Sequence, residues 1–214
     1  MTTELRGSIP ATCTLYEGSS MGRTLPIGDA ARILDVDRAA LVKRAQRAEA
    51  LRRIASLATS AATLDEILQF SLQEMAHLLK ADVAAAFLID RSRIALQFHP
   101  PSLFGKVEVL SDRAANLLVD DPQYPFTMAG SQHSLLLKQK STDKPIVPFY
   151  QQIIAEWGLE SVLIAPLIVR DEGSGEIWMA SCSPGFFDQG DLQTLSTAAG
   201  QLAGVVERSY LMSQ

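Results

Sequence analysis

The chain has 214 residues, 47% hydrophobic and 20% charged, enough for one domain with extra segments or for two small ones. A net charge of −5 argues against a generic nucleic-acid binder, although residues 32–53 carry seven basic side chains against three acidic ones. No apolar run reaches the roughly 18–20 residues that span a bilayer, and the start lacks a signal-peptide pattern, so cytoplasmic residence is expected.

Residues 1–36 mix Gly, Ser, Thr and Pro and read as a flexible leader, with a short helix over 29–35. A helical period then begins, predicting a helix over 37–59. Leu41, Ala45, Ala48, Leu51, Ala55 and Ala58 recur at steps of three and four. That seam is narrow and the opposite side carries Lys43, Arg47 and Arg53, a pattern suited to pairing with another helix. Thr63 and Glu66 have the spacing of a capping box. The helix they start carries Leu64, Ile67, Leu68, Leu72, Met75, Leu78 and Leu79, a face wide enough for core burial, and ends near Lys80.

"DVAAAFLID" and "RIALQFH" are two apolar runs joined by a tight polar link, the pattern of a β-hairpin. Residues 100–148 are irregular, with a helix predicted at "SDRAANLLVD". Phe149, Ile153 and Trp157 mark a short amphipathic helix closed by Gly158. "SVLIAPLIV" is apolar on both faces and predicts a central strand, despite Pro166. "RDEGSG" supplies a turn and "EIWMASC" an antiparallel partner strand. Asp188 caps a last helix over 188–211, with Leu192, Leu195, Ala199, Leu202, Val206 and Tyr210 at helical spacing. The sum is an α+β domain. Cys13 reads as a tail thiol and Cys182 as a small core residue, since they form no metal-ligand spacing.

Residues 160–211 resemble the C-terminal half of GAF domains. The matching positions are Ser161, Pro166, Leu167, Gly175, Phe187, Asp191, Leu192, Leu195, Gln201 and Ala203. "TLDEILQFSLQEMAHLLKADVAAAFLID" resembles the first core helix and strand of the same family. The resemblance implies a sensory or regulatory module. Its fold would be a central antiparallel sheet, with the N- and C-terminal helices on one face and variable loops and helices covering the other. It also implies a homodimer formed through those helices, with Leu41, Ala45, Ala48, Leu202, Val206 and Tyr210 at the contact, and an output domain in the same or a partner chain. By family position, a small ligand of unknown identity would meet Phe98, Phe126, His133, Phe149, Tyr150 and Trp178.

Several sharper versions of the family fail on residues. Bilin-binding members attach their pigment to a Cys-His pair about where Phe149 and Tyr150 stand, which argues against a covalently attached bilin. Cyclic-nucleotide binders carry an Asn-Lys…Phe…Asp-Glu signature; Asn116, Lys138 and Phe149 are present, but no Asp-Glu follows. The methionine sulfoxide reductase branch uses cysteines in a region, 100–149, that here has none. His77, His99 and His133 do not fall at metal-ligand spacing, so no metal and no catalytic residue is expected. The alternative is a DNA-binding regulator with a degenerate helix-turn-helix over 27–47. Asp29 would cap the first helix, Val36 would lie in the turn, and Lys43, Arg44 and Arg47 would face a groove from the second. Asp35 and Arg44 depart from that motif, where a glycine and an apolar residue are favoured.

Overall fold

The computed structural model describes residues 12–14, 24–90, 92–105, 107, 110, 112–137 and 146–212. Much of the expected leader and the polar loop over 138–145 lie outside these. The chain divides into two compact units, Met1–Gln46 and Arg47–Gln214.

In the first unit, β1 (Thr12–Thr14) and β2 (Thr24–Pro26) pair antiparallel, with Cys13 opposite Leu25. Helix α1 (Ile27–Ala58) begins here and is helical throughout residues 35–41. This corrects two expectations. The short helix over 29–35 is part of α1, and the turn that a helix-turn-helix needs at Val36 is not formed. The sequence holds no glycine or proline between Asp29 and Ala58, so nothing local breaks the hydrogen-bond ladder.

The second unit is built on a six-stranded antiparallel sheet. After α2 (Leu64–Leu79) come β3 (Val83–Ile89) and β4 (Ala95–Phe98), the expected hairpin. Then follow the short α3 (Asp112–Ala115), β5 (Asn116–Leu118), α4 (Met128–Ser131) and β6 (Leu135–Leu137). Helix α5 (Pro148–Trp157) leads into β7 (Ser161–Val169) and β8 (Glu172–Ser181), and α6 (Gln189–Leu211) ends the described chain. The strand order is β5-β4-β3-β8-β7-β6.

Thr63 and Glu66 form the capping box of α2, with Thr63 N–H 2.8 Å from Glu66 Oε2. Asp188 and Asp191 do the same for α6, at 2.8 and 3.0 Å. The predicted helix over 111–120 is mostly not one. After one turn the chain becomes β5, where Leu117 is buried between exposed Asn116 and Leu118, the alternation of a strand docked on β4. The β7–β8 turn is also shorter than predicted. Arg170 and Asp171 alone make it, with φ of 49° and 65°, the geometry a two-residue hairpin demands. Gly173 and Gly175 belong to β8 instead. Pro166 fits a central strand because the β6 ladder ends at Ile164, so its missing N–H breaks no bond to that neighbour.

Alternation sorts the sheet into two faces. Ala84, Ala86, Leu163, Ala165, Ile177 and Met179 point toward α2, α6 and the end of α1, where Ile54, Leu68, Leu72, Met75, Leu195 and Leu202 are fully buried. Each such side chain contributes about 1.5–3 kcal/mol by leaving water. The other face bears Val83, Ala85, Phe87, Val162, Ile164, Trp178 and Ala180, and is covered by α5 and the segments before it. Among the described residues no helix is long and apolar enough to cross a membrane.

Two further expectations change. Cys182 lies just beyond β8 and is exposed, not core. Leu202 and Val206 are buried against their own sheet, and the Tyr210 hydroxyl donates to Ile89 O at 2.5 Å. The apolar stripe of α6 therefore serves this domain's own core and leaves Leu202 and Val206 no free face for a dimer contact, while Tyr210 is half-buried. Leu41 (63% exposed), Ala45 and Ala48 of α1 do remain exposed.

Candidate functional site

The covered face holds four of the six nominated ligand residues. Phe98 comes from β4, Phe149 and Tyr150 from the first turn of α5, and Trp178 from β8; all are buried. Pro148 at the first position of α5 fixes the entry of that helix and so the placement of Phe149 and Tyr150. Three of these four rings meet around Phe87, which lies 5.5 Å from Phe98, 5.9 Å from Phe149 and 5.3 Å from Trp178, centroid to centroid. Tyr150 stands edge-on to Trp178 at 5.1 Å, and Trp157 edge-on to Phe98 at 5.8 Å. The other two nominated residues are not brought into this cluster. Phe126 is 69% exposed, and His133 is exposed with Nδ1 2.5 Å from Ser131 O.

One residue that sequence reasoning did not nominate organises the face. Glu176 is completely buried in β8, two residues before Trp178 and opposite Phe87 of β3. Its Oε1 accepts from Trp178 Nε1 at 2.9 Å, and its Oε2 accepts from the Tyr150 hydroxyl at 2.8 Å and Ala129 N–H at 3.1 Å. The Tyr150 hydroxyl in turn accepts from Met128 N–H at 2.5 Å. Among the described residues no cation pairs with this carboxylate. Burial raises the Glu176 carboxyl above its usual range, while the bonds from Trp178, Tyr150, Ala129 and Met128 pull the other way. Burial, with the neighbouring carboxylate, also pushes the Tyr150 phenol well above its ordinary value, so it stays neutral and keeps its proton to donate. A signal for Glu176 does exist in the sequence. It stands in phase with Trp178 and Ala180 in an apolar strand, so period two already places a carboxylate on a covered face.

Gly173 lets the cover approach β8, and Gly175 lets the neighbouring strand β3 do so. A Cβ on Gly173 would lie 2.3 Å from Ala129 O, and one on Gly175, whose φ is +151°, would lie 2.3 Å from Phe87 O. Clefts outside this face lie among the described residues. One, of about 370 Å³, is bounded by Arg93, Arg170, Glu172, Glu207 and Tyr210 at one end of the sheet. Another, of about 570 Å³, is bounded by Asp82, Phe104, Val107, Cys182 and Ser183. Among the described residues no group of three or more His, Cys, Asp or Glu is placed to hold a metal. On α1, Arg47 is 2.6 Å from Asp191 of α6 and Arg53 is 2.7 Å from Glu74 of α2, so these two cations are engaged within the domain.

Several known structures share this fold. The GAF domain of a phosphoenolpyruvate-protein phosphotransferase from Acinetobacter is 19% identical, with 78% of this chain and 95% of that one covered and a TM-score of 0.58. A phycocyanobilin-bound GAF domain from a cyanobacterial phytochrome is also 19% identical, covering 78% and 96%, with a TM-score of 0.61. Free methionine-R-sulfoxide reductase from Neisseria meningitidis, in complex with its substrate, is 14% identical, covering 78% and 91%, with a TM-score of 0.59. No curated protein matches the sequence. The family model for the GAF domain matches residues 63–206, the stretch from the capping box of α2 to the buried Val206 of α6. With that match over well more than half its length, the chain belongs to the GAF domain family, whose members are sensory and regulatory domains of signalling proteins.

Proposed function

We propose that this chain is a non-catalytic sensory or regulatory GAF domain of a bacterial signal-transduction protein, acting in the cytoplasm. It takes a small ligand on the aromatic face, pairs with a second copy through α1, or does both, and passes the change to an output domain. The observation that supports this reading is the alternation along β8. Glu176 and Trp178 face the cover, while the alternating Ile177 and Met179 pack on the α6 side. A rearrangement on the aromatic face therefore reaches the last helix through one strand, because a close-packed core has few intermediate positions. Binding is favoured over turnover because the Glu176, Tyr150 and Trp178 polar groups already bond to one another. The resemblance argues against a covalently held bilin, since Phe149 and Tyr150 stand about where related domains carry the attaching Cys-His pair. For pairing, exposed Leu41, Ala45 and Ala48 offer the contact.

Native mass spectrometry of the freshly purified full chain tests both parts. The expected result is a dimer, a retained small molecule, or both, with Leu41→Glu/Ala45→Glu shifting any dimer to monomer. A monomer that carries nothing would overturn the proposal.

A further inference from the structure

Glu176 gathers hydrogen bonds from three separate pieces of chain. Trp178 donates from β8 itself, Tyr150 from α5, and Ala129 N–H from α4; Met128 N–H joins through the Tyr150 hydroxyl. The segment around α4 also packs on this face through Tyr124, Met128 and Ala129, and Gln132 Nε2 donates to Asp171 O in the β7–β8 turn at 2.5 Å. Thr127 and Ala129 are buried, Met128 is half-buried, and Pro125 and Phe126 point to solvent. Its internal bonds are local: Thr127 Oγ1 accepts from Gly130 N–H at 3.0 Å and donates to Tyr124 O at 2.7 Å. The cover is thus a preformed small unit whose polar attachment to β8 itself, among the described residues, runs through the Glu176 carboxylate.

The pattern around that carboxylate is one-sided. The partners from Trp178, Ala129 and Tyr150 are all donors, which suits an ionised group and would leave a protonated or amide side chain with a donor facing donors. No cation offsets the charge among the described residues, and its removal from water opposes closure. Rehydrating Glu176 on opening would recover that penalty, so closed and open covers differ by less than the bond set alone implies.

We infer that Glu176 is a latch: its carboxylate fastens α4 and the first turn of α5 to β8, and breaking that bond set frees the cover while the sheet stays folded. The latch deepens the sensory reading by naming the part that moves when the aromatic face is entered. Its test needs no ligand, so a failed latch leaves the sensory reading standing, and a missing ligand leaves the latch measurable.

The experiment is amide hydrogen exchange on the full chain, comparing wild type with Glu176→Gln and Tyr150→Phe. The Met128 and Ala129 amides are expected to exchange at least about tenfold faster in both variants, the loss of roughly one such hydrogen bond, while Ala85 and Leu163 in the sheet stay as protected as in wild type. Tyr150→Phe keeps the ring against Trp178 and removes only the hydroxyl, so it decides the matter if Glu176→Gln does not fold. Unchanged exchange at Met128 and Ala129 in Tyr150→Phe overturns the latch. So does an equal acceleration in cover and sheet, which would mean global loosening.

Discussion

Replacing Trp178 by phenylalanine tests how much the buried carboxylate depends on its donors. The aromatic six-ring stays near Phe87 and Tyr150, but three heavy atoms are lost, Nε1 with its hydrogen among them. The missing bond is 2.9 Å long and ends on a fully buried carboxylate. A hydrogen bond to a charged group contributes about 1.5–3 kcal/mol. The roughly 40 Å³ of side chain removed adds about 1 kcal/mol at ~24 cal/mol per Å³ of cavity. Together the expected destabilisation is about 2.5–4 kcal/mol, since the close packing around Phe87 gives the site little room to collapse. Urea unfolding followed by far-ultraviolet circular dichroism is the suitable assay, because the substitution itself alters tryptophan fluorescence. A double-mutant cycle with Glu176→Gln separates bond from bulk, with an expected coupling of at least about 1 kcal/mol. A total loss below about 1 kcal/mol, or strictly additive single effects, would refute the reasoning.

Two glycines should respond in opposite directions. Gly175→Ala forces a Cβ to within 2.3 Å of Phe87 O at a φ of +151° and should lower stability by more than the about 1–3 kcal/mol of backbone strain alone. Gly200→Ala, in α6 with nothing near its would-be Cβ, should raise stability by about 0.5–1 kcal/mol; thermal melts of the two side by side check both. The pH dependence follows from Glu176, whose carboxyl is raised by burial. Burial outweighs the donors that favour the ionised form, so the net shift is upward, and the carboxyl's contribution is fully present below the ordinary carboxylate range and is lost as pH rises through the folded value. Among the described residues the titratable group in direct contact is Tyr150, which stays neutral across this window. The stability of wild type relative to Glu176→Gln should therefore fall from about pH 4.5 toward neutrality, and a difference that stays level or grows would contradict the assignment.

The sequence by itself determined the elements whose signals are local. Thr63 with Glu66, Asp188 before α6, and Gly158 after Trp157 mark helix ends through hydrogen bonds closed within a few residues, so local signals were sufficient. The apolar run of β7 and the helical period of α6 likewise follow from composition, and with them the family. Tertiary structure decided what depends on partners distant in the chain. "SDRAANLLVD" has the composition of a helix, yet its Leu117 is claimed by the edge of β4. The stripe on α6 could have faced a second copy or its own sheet, and only packing assigned Leu202 and Val206 to the sheet. The aromatic face was partly legible, since Phe98, Phe149, Tyr150 and Trp178 could each be named. That they meet through Phe87 and surround Glu176 was not. Those contacts join residues about 26–91 positions apart, so period two could place Glu176 on a face of β8 but could not name the groups that the folded chain lays over it.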